Sequence, residues 1–129
     1  MKYVQNVQNQ DPDIDPRSIR DRVKDRERKV LRDTYYLIDP EECDSRRLTM
    51  GCTTIYPTGS TTGHSHDDME EVYFVVSGKG VMVVGDDEFE IEEGDSLYVP
   101  PGDYHTTYQR GNLPLTVVWV TGKLNSEER

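Results

Sequence analysis

From about residue 35 onward, the chain is a succession of short runs rich in β-branched and aromatic residues, separated by Gly, Pro and Asp. Residues 71–77 form one such run, and breaks follow at residues 78–80 and at the corner 100–103. About seven or eight strands at this spacing predict an all-β sandwich or barrel. The connections are too short for crossover helices, so we expect antiparallel pairing.

The N-terminal part of the chain differs, because it holds most of the charge and few apolar residues. Residues 1–34 are predicted to form a polar arm, in which 16–33 are either a surface helix or a segment that orders on a second subunit. Residues 35–124 are predicted to form the β-barrel, and 125–129 a polar tail. A chain of 129 residues with 33% hydrophobic content suits one such domain.

Charge and hydropathy exclude several classes of partner. A formal net charge of −10 argues against binding to nucleic acid or to an anionic membrane surface. No apolar run approaches the roughly 20 residues that span a bilayer, and the N-terminus shows no apolar signal core. We therefore expect a cytoplasmic protein, in which Cys43 and Cys52 remain reduced thiols.

The chain has only three histidines, and two of them are His64 and His66, which would project from the same face of a strand. Glu71 opens a strongly apolar run, where a lone carboxylate would be costly. His105 follows a tight corner, and a later strand can return it to the same pocket. Three imidazoles and one carboxylate suit one divalent transition metal (Mn, Fe, Co, Ni, Cu or Zn) and match Ca or Mg poorly.

The spacing of these residues resembles the two motifs of the cupin superfamily, over about residues 48–120. The first motif is matched by Gly59, His64, His66, Glu71 and Gly78, and the second by Gly94, Pro100, Pro101, Gly102 and His105. Two departures are a separation of only four residues between Gly59 and His64, and Gln109 in place of an asparagine. The resemblance implies a double-stranded β-helix, or jelly-roll barrel, with His64, His66, Glu71 and His105 binding a metal at one end of its interior.

Strand parity selects between two adjacent carboxylates and predicts the walls of a pocket. Glu71 and Tyr73 would share one face of their strand, so Glu70 would point outward. A pocket with tyrosine walls would suit a small oxygenated ligand. The side chains expected around the metal are Tyr73, Gln109, Tyr56, Tyr98, Trp119 and Met50.

For function, the resemblance implies a metalloenzyme that chelates a sugar, sugar phosphate or carboxylate, with isomerase, lyase or dioxygenase chemistry. The alternatives are a cupin that binds a small ligand without turnover and an Fe(II)-dependent dioxygenase. Residues 63–84 are also similar to the cupin-type phosphoglucose isomerases, largely within the general motif. Thr61, Thr62 and Lys79 are available to a phosphate, but no positive cluster is apparent in the barrel segment.

An association of two chains is also expected from the resemblance. Cupins commonly pair through their sheets, and a small barrel with a long polar arm would gain stability from a partner. We therefore predict a homodimer in which residues 1–40 are partly exchanged between subunits.

Overall fold

A computed structural model describes residues 4–11 and 31–128 of the chain. Residues Val7–Asn9 form a short 3-10 helix, capped by the Asn6 side chain, which accepts a hydrogen bond from the backbone N–H of Gln8 at 2.8 Å. The helix predicted within residues 16–33 lies almost entirely outside the described residues. In the described ranges, no helix has the length and apolar character needed to cross a membrane.

The described residues form eight strands in two antiparallel sheets, which confirms the predicted all-β jelly-roll class. The strands are β1 (Arg32–Ile38), β2 (Leu48–Ile55), β3 (Met69–Ser77), β4 (Lys79–Val84), β5 (Asp87–Glu92), β6 (Ser96–Val99), β7 (His105–Arg110) and β8 (Leu115–Lys123). The larger sheet has the order β1-β2-β8-β3-β6, and the smaller one has the order β5-β4-β7. Strand β1 begins at Arg32, inside the segment that the sequence assigned to the arm.

Register in the larger sheet assigns the side chains of each strand to an inner or an outer face. Thr34 pairs with Thr53 on the inner face, whereas Phe74 pairs with Val118 on the outer face. Phe74 is 49% exposed, although its strand reads as a buried apolar run in the sequence. Because successive residues of a strand alternate between faces, each strand of this sheet contributes to both surfaces.

An apolar core fills the space between the two sheets. Seven buried side chains belong to it: Ile55, Val75, Met82, Ile91, Val99, Leu115 and Val117. The rings of Tyr73 and Trp119 pack against this cluster from the larger sheet. Burial of these groups is the main stabilising contribution, at about 1.5–3 kcal/mol for each large aliphatic side chain.

Two glycines of the cupin-like motifs lie at turns with positive φ. Gly78, between β3 and β4, has a φ of +88°, and a Cβ atom there would lie 2.3 Å from the carbonyl oxygen of Pro114. Gly94, between β5 and β6, has a φ of +92°, but a Cβ atom there would meet nothing within 4 Å. Both turns therefore require glycine for its backbone conformation, and the first requires it for space as well.

Candidate metal centre

Three parts of the chain bring the predicted ligands together at one end of the barrel. His64 lies in the connection after β2, where two backbone hydrogen bonds of 3.1 and 2.9 Å join it to His105, the first residue of β7. His66 lies in the same connection, just outside β3, and Glu71 is the third residue of β3. The sequence predicted a strand at His64 and His66, whereas the structure has only an isolated bridge at His64.

The ligand atoms of these side chains converge on one small volume. One ligand atom each from His64, His66 and Glu71 lies within 4.8 Å of the other two, so the three could hold a metal ion. The His105 Nε2 atom lies 2.8 Å from Glu71 Oε2, and His66 Nε2 lies 3.8 Å from Glu71 Oε1. Two ligand atoms at about 2.1 Å from a metal, at right angles to each other, lie about 3 Å apart.

Backbone carbonyls set the tautomers of two histidines. His64 Nδ1 lies 2.9 Å from the carbonyl oxygen of Thr62, and His105 Nδ1 lies 3.2 Å from that of Asp103. A carbonyl oxygen only accepts, so each Nδ1 carries the hydrogen and each Nε2 keeps its lone pair for a metal. His105 Nε2 is buried and lies close to Glu71, but it forms no hydrogen bond within the described part of the chain. This donor set therefore fits a transition metal.

The charges at the centre are set by burial and by mutual contact. Burial, together with the nearby His105, lowers the pKa of His64 to about 4, so this imidazole is neutral at pH 7. Burial opposes ionisation of Glu71, but the adjacent His105 and His66 outweigh it and lower the pKa of the carboxyl. Glu71 is therefore a carboxylate and His64 a neutral imidazole, which are the forms that bind metal.

Tyr73 supports Glu71 from the same strand, as the predicted parity requires. Its hydroxyl donates a hydrogen bond to Glu71 Oε2 at 3.1 Å. Burial, and next the Glu71 carboxylate, raise the pKa of Tyr73 well above its usual value of 10, so the hydroxyl keeps its proton. Glu71 is 5% exposed, whereas Glu70 faces solvent, which confirms the inward assignment of Glu71.

A cavity of about 340 Å³ opens beside the candidate centre. Of the expected wall residues, Tyr73 and Trp119 line it. Trp119 donates a hydrogen bond from Nε1 to Thr53 Oγ1 at 2.9 Å, which holds the indole in the wall. Hydroxyl groups form much of the remaining lining, from Thr34, Thr49, Thr53, Thr61, Thr107 and Thr121.

Three expected wall residues lie on the outside of the barrel instead. Tyr56 is 40% exposed and donates a hydrogen bond to Asp33 at 2.7 Å. Tyr98 is 51% exposed and donates to Glu70 at 3.0 Å. Met50 pairs with Val120 on the outer face of the larger sheet. The structure therefore places these three side chains away from the cavity that they were expected to line.

Gln109, the fourth expected wall residue outside the cavity, holds a turn. Its Nε2 donates to the carbonyl oxygens of Arg110, Gly111 and Leu113 at 2.7 to 3.0 Å. Its Oε1 accepts from the backbone N–H of Thr58 at 3.1 Å. Gln109, which stands where the cupin motif has an asparagine, is therefore a buried residue whose hydrogen bonds stabilise the turn between β7 and β8.

Arg32 lines the cavity and is only 7% exposed, although it was not among the expected wall residues. It was counted with the charged arm, although the alternation of Arg32, Thr34 and Tyr36 along β1 marks one face of a strand. Of the groups considered for phosphate, Thr61 lines the cavity, whereas Lys79 borders a separate cavity beside Glu92.

The barrel thus holds, at one end, three side chains that could bind a metal ion: His64, His66 and Glu71. The family model described as "Cupin domain" matches residues 52–121, which is more than half of the chain. The chain therefore belongs to the cupin family.

Relatives within this family have varied descriptions. A glucose-6-phosphate isomerase of Thermococcus litoralis is 38% identical over 92 residues, which cover 61% of this chain and 48% of the isomerase. An uncharacterised protein of Methanocaldococcus jannaschii is 38% identical over 65 residues, which cover 50% of this chain and 52% of that protein. The chain thus spans about half the length of these two relatives.

Solved structures support the same fold. A protein of Thermotoga maritima, described as a predicted oxalate decarboxylase, superposes with a TM-score of 0.67. The match covers 72% of this chain and 81% of that protein, at 22% sequence identity. At this identity the likeness concerns the fold alone.

Proposed function

We propose that this protein is a metalloenzyme that acts on a small polar metabolite, a sugar, sugar phosphate or carboxylate, through chelation to one divalent transition metal. The observation that carries the proposal is the convergence of four ligand side chains beside an open cavity. His64, His66 and Glu71 would hold the metal, with His105 as the fourth ligand. Four protein ligands leave one or two coordination positions for substrate on a five- or six-coordinate metal.

The chain's own groups would prepare this site for chemistry. A bound metal would act as a Lewis acid, which polarises a carbonyl or carboxylate oxygen of the substrate. Tyr73 orients Glu71 through its hydroxyl hydrogen bond, and the threonine hydroxyls of the cavity offer hydrogen bonds to substrate oxygens. The glucose-6-phosphate isomerase of Thermococcus litoralis supports a small oxygenated substrate by analogy.

The first test is the metal content of protein purified without affinity nickel. We expect close to one transition metal per chain, measured by elemental analysis, and full reconstitution after chelation. Turnover is then followed by NMR with sugars, sugar phosphates and carboxylates, and oxygen consumption is measured with the iron form. A protein that binds metal but turns over none of these compounds would favour a cupin that binds a small ligand without turnover. Oxygen uptake by the iron form would favour the dioxygenase. A protein that takes up no metal would contradict the proposal.

We propose a cytoplasmic location as well. Cys43 and Cys52 are both free thiols, which is the usual state of cysteine in a reducing compartment. Fractionation of the source cells, with detection by an antibody against the chain, tests this location.

We also propose that the outer face of the larger sheet pairs two copies of the chain. Val72, Phe74 and Val76 of β3 are 43–49% exposed, and Tyr98 beside them is 51% exposed. Together with Val118 on β8, they form a continuous apolar surface, which is unusual on a monomer unless it binds a partner. The exchange of residues 1–40 predicted from the sequence falls largely on residues outside the described ranges.

The charged substitution Phe74→Glu is expected to convert the protein from dimer to monomer. Wild-type protein should give about twice the 14.9 kDa chain mass in light scattering, whereas the variant gives one chain mass. The matched control is Phe89→Glu, because Phe89 is also partly exposed but lies on β5 of the other sheet. A wild-type monomer, or equal dissociation by both variants, would overturn the pairing surface.

A further inference from the structure

Three aromatic side chains lie in one row across the inner face of the larger sheet. Tyr36 of β1 pairs with Gly51 of β2, and Gly51 pairs with Trp119 of β8. Trp119 pairs in turn with Tyr73 of β3, whose hydroxyl donates to Glu71. The three aromatic side chains all line the cavity. The cavity therefore has an aromatic wall that ends at the candidate metal centre.

The indole of Trp119 occupies the space that Gly51 leaves empty in this row. A Cβ atom on Gly51 would lie 2.1, 2.5 and 2.6 Å from the ring atoms Cζ2, Cε2 and Cη2 of Trp119. These distances are those of a point above the ring, so the indole covers Gly51 with its face rather than its edge. Tyr36 stands beside the indole on the next strand, at an interplanar angle of 84°. One face of the indole thus rests on β2, and the opposite face is turned toward the cavity.

A pair of hydroxyl groups lies in the adjacent row of the same face. Thr49 and Thr121 are cross-strand partners, and Thr121 also pairs with Glu71. Both threonines line the cavity, and within the described part of the chain neither hydroxyl has a hydrogen-bond partner. The hydroxyls of Thr34 and Thr53, by contrast, lie 3.1 Å apart and bond to each other. Thr49 and Thr121 are therefore the threonines whose hydroxyls can serve a ligand.

An aromatic face and hydroxyl groups together suit a sugar ring. The face of an aromatic ring carries partial negative charge, which attracts the C–H groups on one side of a sugar ring. Cross-strand neighbours have Cβ atoms about 5 Å apart, so two such threonines can bind neighbouring hydroxyls of one ring. A planar aromatic ligand could also stack on the indole, but it would leave the hydroxyls of Thr49 and Thr121 without partners.

We infer that the substrate is a cyclic sugar, which lies on the face of Trp119 with its ring hydroxyls bound by Thr49 and Thr121. The position of Thr121 beside Glu71 directs one end of such a ring toward the candidate metal centre. This inference rests on the proposed function and narrows its substrate class to ring-shaped sugars, so that small open-chain carboxylates are excluded. A cavity of about 340 Å³ is at the small end of ligand sites, which limits the substrate to one sugar ring.

The first test compares ring-shaped sugars with an open-chain polyol and a planar aromatic compound. The sugars are D-glucose, D-galactose, D-mannose and D-xylose, and the other two probes are sorbitol and phenol. Binding is followed by the fluorescence of Trp119, which is the only tryptophan of the chain. We expect at least one of the sugars to bind about 10-fold more tightly than sorbitol and phenol. The inference is overturned if none of the sugars binds, or if sorbitol or phenol binds as tightly as the best sugar.

The second test removes the two hydroxyls with little change in shape. We expect the double variant Thr49→Val, Thr121→Val to bind the best sugar about 10-fold more weakly, because two hydrogen bonds are lost. The matched control is Thr54→Val, Thr116→Val, a cross-strand pair on the outer face of the same two strands, whose hydroxyls lie 3.1 Å apart. It should keep the wild-type affinity. Equal sugar affinity in the two double variants would contradict the assignment of Thr49 and Thr121.

The third test displaces the aromatic face. In Gly51→Ala the new methyl group would push the indole of Trp119 away from β2, and we expect sugar affinity to fall about 10-fold. Trp119→Leu, which removes the ring, should lose at least as much, measured by saturation-transfer NMR because this variant has no tryptophan. Thermal unfolding identifies which of the two variants fold. Wild-type sugar affinity in a folded variant would show that the indole does not bind the sugar.

Metal analysis of the same samples separates this inference from the proposed function. If wild-type protein holds no metal but binds a sugar through Thr49 and Thr121, the proposed function fails and the sugar site stands. If the metal is present and no sugar binds, the metal centre stands and the sugar site fails.

Discussion

We expect replacement of Glu71 by glutamine to abolish the binding of the proposed transition metal, whereas the same replacement at Glu70 should leave metal binding intact. Glu71 points into the barrel, 2.8 Å from His105 Nε2, while Glu70 lies one residue earlier and faces solvent beside Tyr98. A glutamine keeps the shape of the side chain but loses the charge that a divalent metal requires. Since the loss of groups that only support a ligand costs 10- to 100-fold in affinity, the loss of Glu71 itself should cost about 100-fold or more.

Elemental analysis and competition with a metal-binding dye measure this difference, and thermal unfolding of the metal-free proteins checks that both variants fold. His105→Ala provides a second variant from another strand and should lose the metal to a similar extent. If His105→Ala keeps the metal, His105 is not a ligand and the ligand set consists of His64, His66 and Glu71. Wild-type affinity in Glu71→Gln would show that the carboxylate is not a ligand.

Gly78→Ala is expected to destabilise the protein by about 3–5 kcal/mol, a large part of the stability of a domain of this size. The new methyl group would lie 2.3 Å from the carbonyl oxygen of Pro114, at a φ of +88° that alanine rarely adopts. To relieve this steric clash, the turn between β3 and β4 would have to move away from the start of β8. Because β3 carries Glu71, metal affinity should fall together with the free energy of unfolding.

Gly94→Ala is the matched control for this prediction. Its φ of +92° imposes the same conformational strain, but the new methyl group meets no atom within 4 Å. We therefore expect a loss of only about 1–2 kcal/mol. Urea unfolding followed by circular dichroism compares the two variants, and equal midpoints would show that the contact with Pro114 contributes nothing.

The sequence predicted the fold and the convergence of the candidate ligand side chains because both depend on spacing. Turn residues at short intervals require antiparallel strands, and the alternation along β3 assigns Glu71 and Tyr73 to one face. The histidine pair and the later His105 are then brought together by the barrel itself. The turn spacing and the alternation along β3 are local patterns, so they can be read from the sequence without knowing which strands pair with each other.

Other features depend on which face of each strand turns inward. Met50, Tyr56 and Tyr98 were expected inside, because an apolar or aromatic face usually faces the core. In this barrel the inner face beside the candidate metal centre is rich in threonine, and several apolar side chains of the larger sheet lie outside. Arg32 was missed for a related reason, since a single arginine next to a charged segment has no pattern that assigns it to a cavity.

The alternation along β3 has a consequence for protein engineering. Glu71, Tyr73 and Val75 face the interior, whereas Val72, Phe74 and Val76 face outward from the same nine-residue strand. Side chains on opposite faces share few neighbours, so the effects of substitutions in the two sets should combine nearly additively. A library that varies the inward positions can therefore explore new ligands while the outer surface keeps its original chemistry.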